Sequence, residues 1–164
     1  MPLAVTAYLV AKAVHIIAAL LAFGVPVAYP ILIPFMRRSH PRAMPAVHAM
    51  QNRLNQWLTG PFIGLLFVLG AYMASKNHLW GEAWLLVALG ALAVITVVGL
   101  AVIQPATAGL SELARADVDA TAAGATVAWS DGYRRLYARY MAAEVLLGAL
   151  VLIAVFFMTA KPFA

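Results

Sequence analysis

Two ionisable residues, Lys12 and His15, lie inside the first long apolar run of the chain, whereas most others lie at the ends of apolar segments. They are three positions apart, so their side chains share one face of a helix. A neutral imidazole is a common ligand of metal ions and of haem iron. Because an ionisable group at membrane depth points to a function, His15 is a candidate ligand for a haem or a metal ion.

Small residues accompany His15 on its face of the helix: Ala11, Ala18 and Ala22. Such residues let membrane helices approach closely, so we expect His15 to point into a helix bundle. His78 is a candidate second metal ligand, because the topology predicted below places it on the same side of the membrane. The alternative is that His15 only forms a hydrogen bond with a neighbouring helix.

A stripe of tyrosines that ends in one acid precedes and enters the last apolar run. Its members follow at spacings of four, three and four residues: Tyr133, Tyr137, Tyr140 and Glu144. A carboxyl group at membrane depth should be protonated, or paired with Arg53, Arg139 or a tyrosine. Glu144 and Tyr140 are therefore candidate catalytic residues, for a proton relay or for contact with a polar substrate. The alternative is an aromatic belt at the membrane interface that ends in a structural ion pair.

Other site chemistries receive little support from the sequence. The seven methionines are scattered, so core packing explains them better than copper binding does. His40 and His48 are expected to be solvated or to face lipid headgroups. The chain has no cysteine, which excludes disulfides, iron–sulfur clusters and a cysteine nucleophile. No Gly-rich phosphate loop and no His-Glu-x-x-His motif is present.

The composition is that of a membrane protein. Of the 164 residues, 65% are hydrophobic and 10% are charged, whereas soluble domains carry about 25% charged residues. We expect an all-α integral membrane protein, a four-transmembrane-helix bundle in contact with the lipid bilayer, that forms one domain over residues 1–164. The predicted spans are residues 8–35, 57–74, 80–103 and 141–160. No nucleic-acid partner is expected, because the basic residues are distributed as membrane topology requires.

Prolines and glycines predict where these helices bend, pack and end. Three prolines recur every four residues and should kink or end the first span: Pro26, Pro30 and Pro34. Pro105 should end the third span. Gly60 and Gly64 should bring the second span against the small face of the first.

The two long links, residues 36–56 and 106–140, hold eight of the eleven Lys and Arg residues. The positive-inside rule then predicts both links in the cytoplasm and both termini outside, in a bacterial inner (plasma) membrane. Pro45 should begin a helix that runs straight into the second span. Residues 120–128 should be mobile, and Ser130 or Asp131 should cap the last helix.

Three short motifs resemble the HemJ-type protoporphyrinogen oxidases and the related CopD-like membrane domains. Lys12-Ala-Val-His15-Ile-Ile is similar to the opening motif of that family, and Pro30 falls where its Leu-Pro lies. Met50-x-x-Arg53-Leu54, followed by Pro61, resembles a second motif. The ending Lys161-Pro162-Phe163 resembles a third, and Glu144 lies near the glutamate that precedes the last span of the family.

The resemblance implies a haem- or porphyrin-associated redox role, and with it a protoporphyrinogen oxidase-like oxidoreductase activity. In that role His15 would be the axial ligand of a haem b. Lys12, Arg53 and Lys161 would hold the porphyrin propionates, and Glu144 would carry a proton.

The chain departs from the family pattern where the family has Trp, Arg, Lys and Asn; the residues here are Ala22-Phe23, Ile31, Ala88 and Ala143. Its ending also resembles an uncharacterised bacterial family of four-span membrane proteins. Two alternatives therefore stay open. One is a non-catalytic subunit or assembly factor without a cofactor, which packs against other membrane proteins or copies of itself. The other is a copper-handling membrane protein, with His15 and His78 as metal ligands.

Overall fold

Seven α-helices form the fold, and they join into four long helical stretches. A computed structural model describes the backbone of residues 2–162 and the side chains of residues 7–162. The helices are α1 (Pro2–Phe23), α2 (Tyr29–Ser39), α3 (Met44–Leu54), α4 (Gly60–Lys76), α5 (Ala83–Val98), α6 (Gln104–Asp119) and α7 (Asp131–Ala160). No strand occurs within residues 2–162. Phe163 of the terminal motif lies outside the described residues.

The predicted all-α architecture with four spans is confirmed. Four helical stretches are long and apolar enough to cross a membrane: residues 7–39, 41–76, 83–119 and 131–160. The second stretch has 36 residues, or about 54 Å at 1.5 Å per residue, whereas a hydrocarbon core is about 30 Å thick. Its first part, α3, therefore extends beyond the membrane, as do α6 and residues 131–140 of α7. We call this the basic end of the bundle, because it contains both Arg-rich links.

Two π-helical turns, Asn55–Thr59 and Gly99–Ile103, join α3 to α4 and α5 to α6. Each turn is followed two residues later by a proline, Pro61 or Pro105. A proline has no N–H group, and in an α-helix its ring clashes with the carbonyl four residues earlier. The wider π turn accommodates the ring. The helix therefore continues through Pro105 to Asp119, and the end of the third membrane span at Pro105 stays a prediction.

The first stretch is interrupted near its predicted proline kink. The helix α1 ends one residue before Gly24, and a 3-10 turn follows at Pro26–Ala28. The Gly24 N–H group donates to the Leu20 carbonyl oxygen at 2.9 Å. A Cβ at Gly24 would lie 2.6 Å from that oxygen, so this position requires glycine. Pro34 does not end the stretch, since it lies inside α2.

Tight packing at the basic end joins the stretches. α3 packs against α6, and both lie beside the start of α7. Met44, Leu110 and Tyr133 from these three helices have no exposed surface. α3 has its proline in the first turn and continues through the π turn into α4, as predicted.

Side-chain contacts fasten the loop between α6 and α7. Ser130 caps α7 as predicted, because its Oγ accepts from the Tyr133 N–H group at 3.3 Å. The Ser130 N–H and hydroxyl groups donate to Asp117 Oδ2 at 2.9 and 3.0 Å. The Arg42 guanidinium donates to the carbonyl oxygens of Ala122 and Ala125. Residues 120–128, expected to be mobile, are therefore held against the first link.

Candidate functional site

A continuous chain of buried hydrogen bonds crosses the basic end. His48 Nε2 pairs with the Tyr133 hydroxyl at 3.1 Å, and His48 Nδ1 pairs with Gln51 Oε1 at 2.8 Å. Gln51 Nε2 donates to the Tyr140 hydroxyl at 2.6 Å. Neither His48 nor Gln51 has any exposed surface. Glu144 follows Tyr140 by four residues, one turn further along α7.

The Gln51 amide sets the direction of this chain. Its oxygen can only accept, so His48 carries its proton on Nδ1, and Nε2 accepts from Tyr133. Its nitrogen donates to Tyr140, whose own proton is then available to Glu144. Every donor in the chain thus points toward the carboxyl. Burial, together with the nearby Arg37 guanidinium, lowers the pKa of His48 to about 4, which keeps the imidazole neutral.

The burial of His48 corrects the prediction that this residue is solvated. Met44, His48 and Gln51 follow at spacings of four and three, so they lie on one face of α3. That face packs against α6 and α7. Gln51 was not among the residues that the sequence motifs pointed to, and this spacing was the signal that could have found it.

The tyrosine stripe faces the protein interior and does not form a belt at the membrane interface. Tyr133, Tyr137 and Tyr140 are all buried. The Trp129 ring stacks on Tyr133 at 4.3 Å, and the Arg37 guanidinium lies 4.5 Å from the centroid of Tyr137. These cation–π and stacking contacts join the end of α2 to the start of α7.

Glu144, at the end of this stripe, is 3% exposed, and of its predicted partners Tyr140 lies one helical turn away. The other two candidates, Arg53 and Arg139, are exposed at the surface. Among the described side chains, the only ion pair joins Arg134 to Asp131. Glu144 is therefore buried without a neighbouring cation.

A cavity of about 200 Å³ lies between the spans, and Glu144 is part of its wall. Both π turns contribute to the same wall, through Asn55 and Thr59 from one and Gly99 and Ile103 from the other. Turns of this kind recur at functional sites, because they displace side chains from the regular helical register. Two such turns around one buried acid make this cavity the best candidate site in the described part of the chain.

Glycines leave much of this cavity open. A Cβ at Gly64, Gly99 or Gly148 would have no atom of a neighbouring element within 4 Å. The prediction that Gly60 and Gly64 bring the second span against the first is therefore wrong. Gly70 lies at that contact instead, since its Cβ position is 3.7 Å from His15 Cε1.

Hydrogen-bonding capacity is unused beside Glu144. The Tyr29 hydroxyl and Asn55 Nδ2 are buried and have no hydrogen-bond partner among the described residues. Asn55 lines the cavity, and Tyr29 lies in the packed core together with Tyr140. An unsatisfied buried polar group costs about 1–3 kcal/mol. The polar end of the cavity is therefore suited to a ligand with a polar group.

His15 points into the bundle, as predicted, between the buried residues Ala11 and Ala18. Its Nδ1 atom is buried and has no hydrogen-bond partner among the described residues. Lys12 lies one turn away and is exposed, and His78 is exposed beyond the end of α4.

Two other predicted cofactor-binding residues, Lys161 and Arg53, lie at different ends of the bundle. Lys161 Nζ is 5.3 Å from the Trp84 ring centroid, at the end of α7. Arg53 is exposed at the basic end, the opposite end of the bundle. Within residues 7–162, no group of three or more His, Asp or Glu side chains is placed to hold a metal ion. The structure thus brings Glu144 and Tyr140 together, and it does not gather the five predicted ligands around one point.

Comparison with known proteins identifies a family. A family model described as a predicted integral membrane protein, DUF2269, matches residues 9–162. No curated protein and no solved structure matches the chain. The finer resemblance to the HemJ-type oxidases stays a prediction. Since the match extends over nearly the whole sequence, the chain belongs to the DUF2269 family of predicted integral membrane proteins.

Proposed function

We propose that the protein binds a small lipid-soluble molecule in the cavity between its spans, with the polar end of that molecule at Glu144. The observation that carries this proposal is the open space at Gly64, Gly99 and Gly148 around a buried carboxyl. Glycine inside a helix costs about 0.5–1 kcal/mol relative to alanine. In membrane helices its usual benefit is close helix contact, which these three positions do not make. Space for a ligand is a benefit that does account for them.

The size of the cavity limits the ligand. Its volume of about 200 Å³ exceeds the roughly 150 Å³ of an apolar cavity that admits benzene. It is smaller than the roughly 300–1,000 Å³ of pockets for drug-sized molecules. The ligand therefore has an apolar body of about one ring. Val27 and Leu100 line the cavity and are also exposed, so the ligand enters from the bilayer.

The buried hydrogen-bond chain has a positioning role in this proposal. Tyr140 is held by Gln51, and Gln51 is held by His48, so the Tyr140 hydroxyl, one helical turn before Glu144, has a fixed orientation. A fixed hydroxyl in turn limits how the Glu144 carboxyl can turn, so that its oxygen atoms can accept hydrogen bonds from a ligand in the cavity. The chain also connects the site to the basic end, which the positive-inside rule places in the cytoplasm.

Calorimetric titration with 2-phenylethanol tests the binding proposal. The protein is placed in lipid nanodiscs, and the heat of empty nanodiscs is subtracted. We expect saturable binding to the wild type and its loss in Gly148→Leu, whose side chain fills the cavity. Gly90→Leu is the matched control, because Gly90 is exposed, lies outside the cavity and also has open space at its Cβ position. Equal heats for all three proteins would mean partition into lipid and would reject the proposal.

A haem-associated redox role is a second candidate, favoured by the unpartnered Nδ1 atom of His15. His15 would be the axial ligand, and the separation of Arg53 from Lys161 limits how many basic residues could hold the propionates. The absorption spectrum of the purified protein decides this role. A Soret band that is lost in His15→Ala supports it. No band, or a band unchanged in that variant, rejects it.

A further inference from the structure

We infer that the ligand of this cavity is a small organic cation, an amine with an apolar body of about one ring, and that it displaces a proton from Glu144. This inference rests on the proposed binding function and names its ligand class. The ligand class is inferred from the charge of the site, whereas the binding proposal depends on the open volume of the cavity.

Among the described residues, no fixed cation lies within ion-pair distance of Glu144. The Arg37 guanidinium lies over the Tyr137 ring, and Arg53 and Arg139 are exposed. The one ion pair among the described residues, between Arg134 and Asp131, lies at the surface.

The groups that do face Glu144 come from three elements and are uncharged. Tyr140 lies on the same helix, Tyr29 comes from α2, and Asn55 comes from the first π turn. Gln104 of α6 lines the same cavity. The titratable groups among them are the two phenols, which are neutral at physiological pH.

A carboxylate in this position must be neutralised by something else. A buried charge without a partner is so unfavourable that the group takes up a proton or binds a counter-ion. In the empty cavity Glu144 carries the proton. When an ammonium group enters, the carboxyl releases one proton and forms an ion pair, so the net charge of the cavity stays the same. No covalent bond other than the carboxyl O–H bond changes.

The polar end of the cavity can coordinate an ammonium group. Its N–H groups need acceptors, which the ionised Glu144 carboxyl supplies. The side-chain amide oxygens of Asn55 and Gln104, which line the same cavity, can supply further ones. A carboxylate ligand would add a buried negative charge that no cation compensates, and an alcohol would form only neutral hydrogen bonds. Charge-assisted hydrogen bonds are about twice as strong as neutral ones, which favours the amine.

Three probes with the same ring and similar length test the charge preference: 2-phenylethylamine, 2-phenylethanol and 3-phenylpropionate. Each is titrated calorimetrically into the protein in nanodiscs of zwitterionic lipid at pH 6, in two buffers of different ionisation enthalpy. We expect the amine to bind at least about tenfold more tightly than the alcohol, with release of about one proton. We expect 3-phenylpropionate to bind most weakly.

Substitution of the acid assigns the preference to one side chain. Glu144→Gln should remove both the preference for the amine and the proton release, whereas Glu82→Gln, outside the cavity, should keep both. Equal affinity for amine and alcohol, a preference for the anion, or a preference that survives in Glu144→Gln would overturn the inference. If Glu144→Gln does not fold, the three probes on the wild type and Gly148→Leu decide alone.

The two proposals fail in different ways. Specific binding of the alcohol without a preference for the amine rejects the cation and leaves the cavity function standing. Binding of none of the three probes rejects both. Binding of the amine to Gly148→Leu as tightly as to the wild type places the amine outside this cavity and rejects the inference.

Discussion

Replacing Gln51 with leucine should strongly destabilise the basic end of the bundle. The amide is fully buried and joins His48 Nδ1, at 2.8 Å, to the Tyr140 hydroxyl, at 2.6 Å. Leucine has a similar size but neither donates nor accepts a hydrogen bond. Two buried polar groups then lose their partners, and each costs about 1–3 kcal/mol. We expect Gln51→Leu to lower the free energy of unfolding by roughly 2–6 kcal/mol.

Equilibrium unfolding in mixed micelles, with rising mole fraction of SDS, measures this loss. Gln56→Leu is the matched control, because Gln56 is exposed and its contact with Asn52 is long, at 3.4 Å. Exposed substitutions of this kind change stability by about 0.5 kcal/mol or less. Equal losses for the two variants would refute the reasoning.

A double-mutant cycle isolates the bond between His48 and Gln51. His48→Ala alone also breaks it, so the double variant His48→Ala/Gln51→Leu should lose less than the sum of the two single losses. Residues in one hydrogen-bond network show couplings of about 0.5–3 kcal/mol. Additive losses would mean that the two side chains do not interact.

Two further substitutions address pH dependence and the break in the first stretch. The pKa of His48 is about 4 in the folded protein and 6.5 for the free side chain. Between these pH values the unfolded chain binds a proton at His48 and the folded protein does not. The free energy of unfolding is therefore highest above pH 6.5 and falls by about 3 kcal/mol as the pH drops to 4. His48→Gln should flatten the measured dependence of unfolding free energy on pH, and His40→Gln, at an exposed position, should not. Gly24→Ala places a Cβ 2.6 Å from the Leu20 carbonyl oxygen and should destabilise the protein by about 1–3 kcal/mol, whereas Gly90→Ala, in open space, should be neutral or stabilising in the same unfolding experiment.

The helical elements were predictable because their signals are local. Runs of apolar residues gave the four spans, and Ser130 gave the start of α7. Pro105 gave no sign that the helix continues beyond it, because a proline normally ends a helix. The preceding π turn, which has no marked sequence signal, relieves the clash of its ring.

The candidate site was predictable only in part. The spacing of Tyr140 and Glu144 placed both on one face of the helix, and both are buried in the structure. His48 was assigned to solvent, because it lies in a basic link. Gly64 was assigned to helix contact, because glycines four residues apart usually serve it. In both cases the outcome depends on what the neighbouring helix presents, which the residue itself does not encode.

The sequence by itself determined the class of molecule, the four spans and the depth of Glu144 and His15 along their helices. Those properties follow from hydropathy and from the periodicity of a single helix. The tertiary structure decided which buried polar groups have partners. Among the described residues, it leaves Glu144 without a cation at ion-pair distance and His15 Nδ1 without a hydrogen-bond partner. It also opens the cavity at Gly99 and Gly148, since a void exists only where neighbouring helices fail to fill the same space.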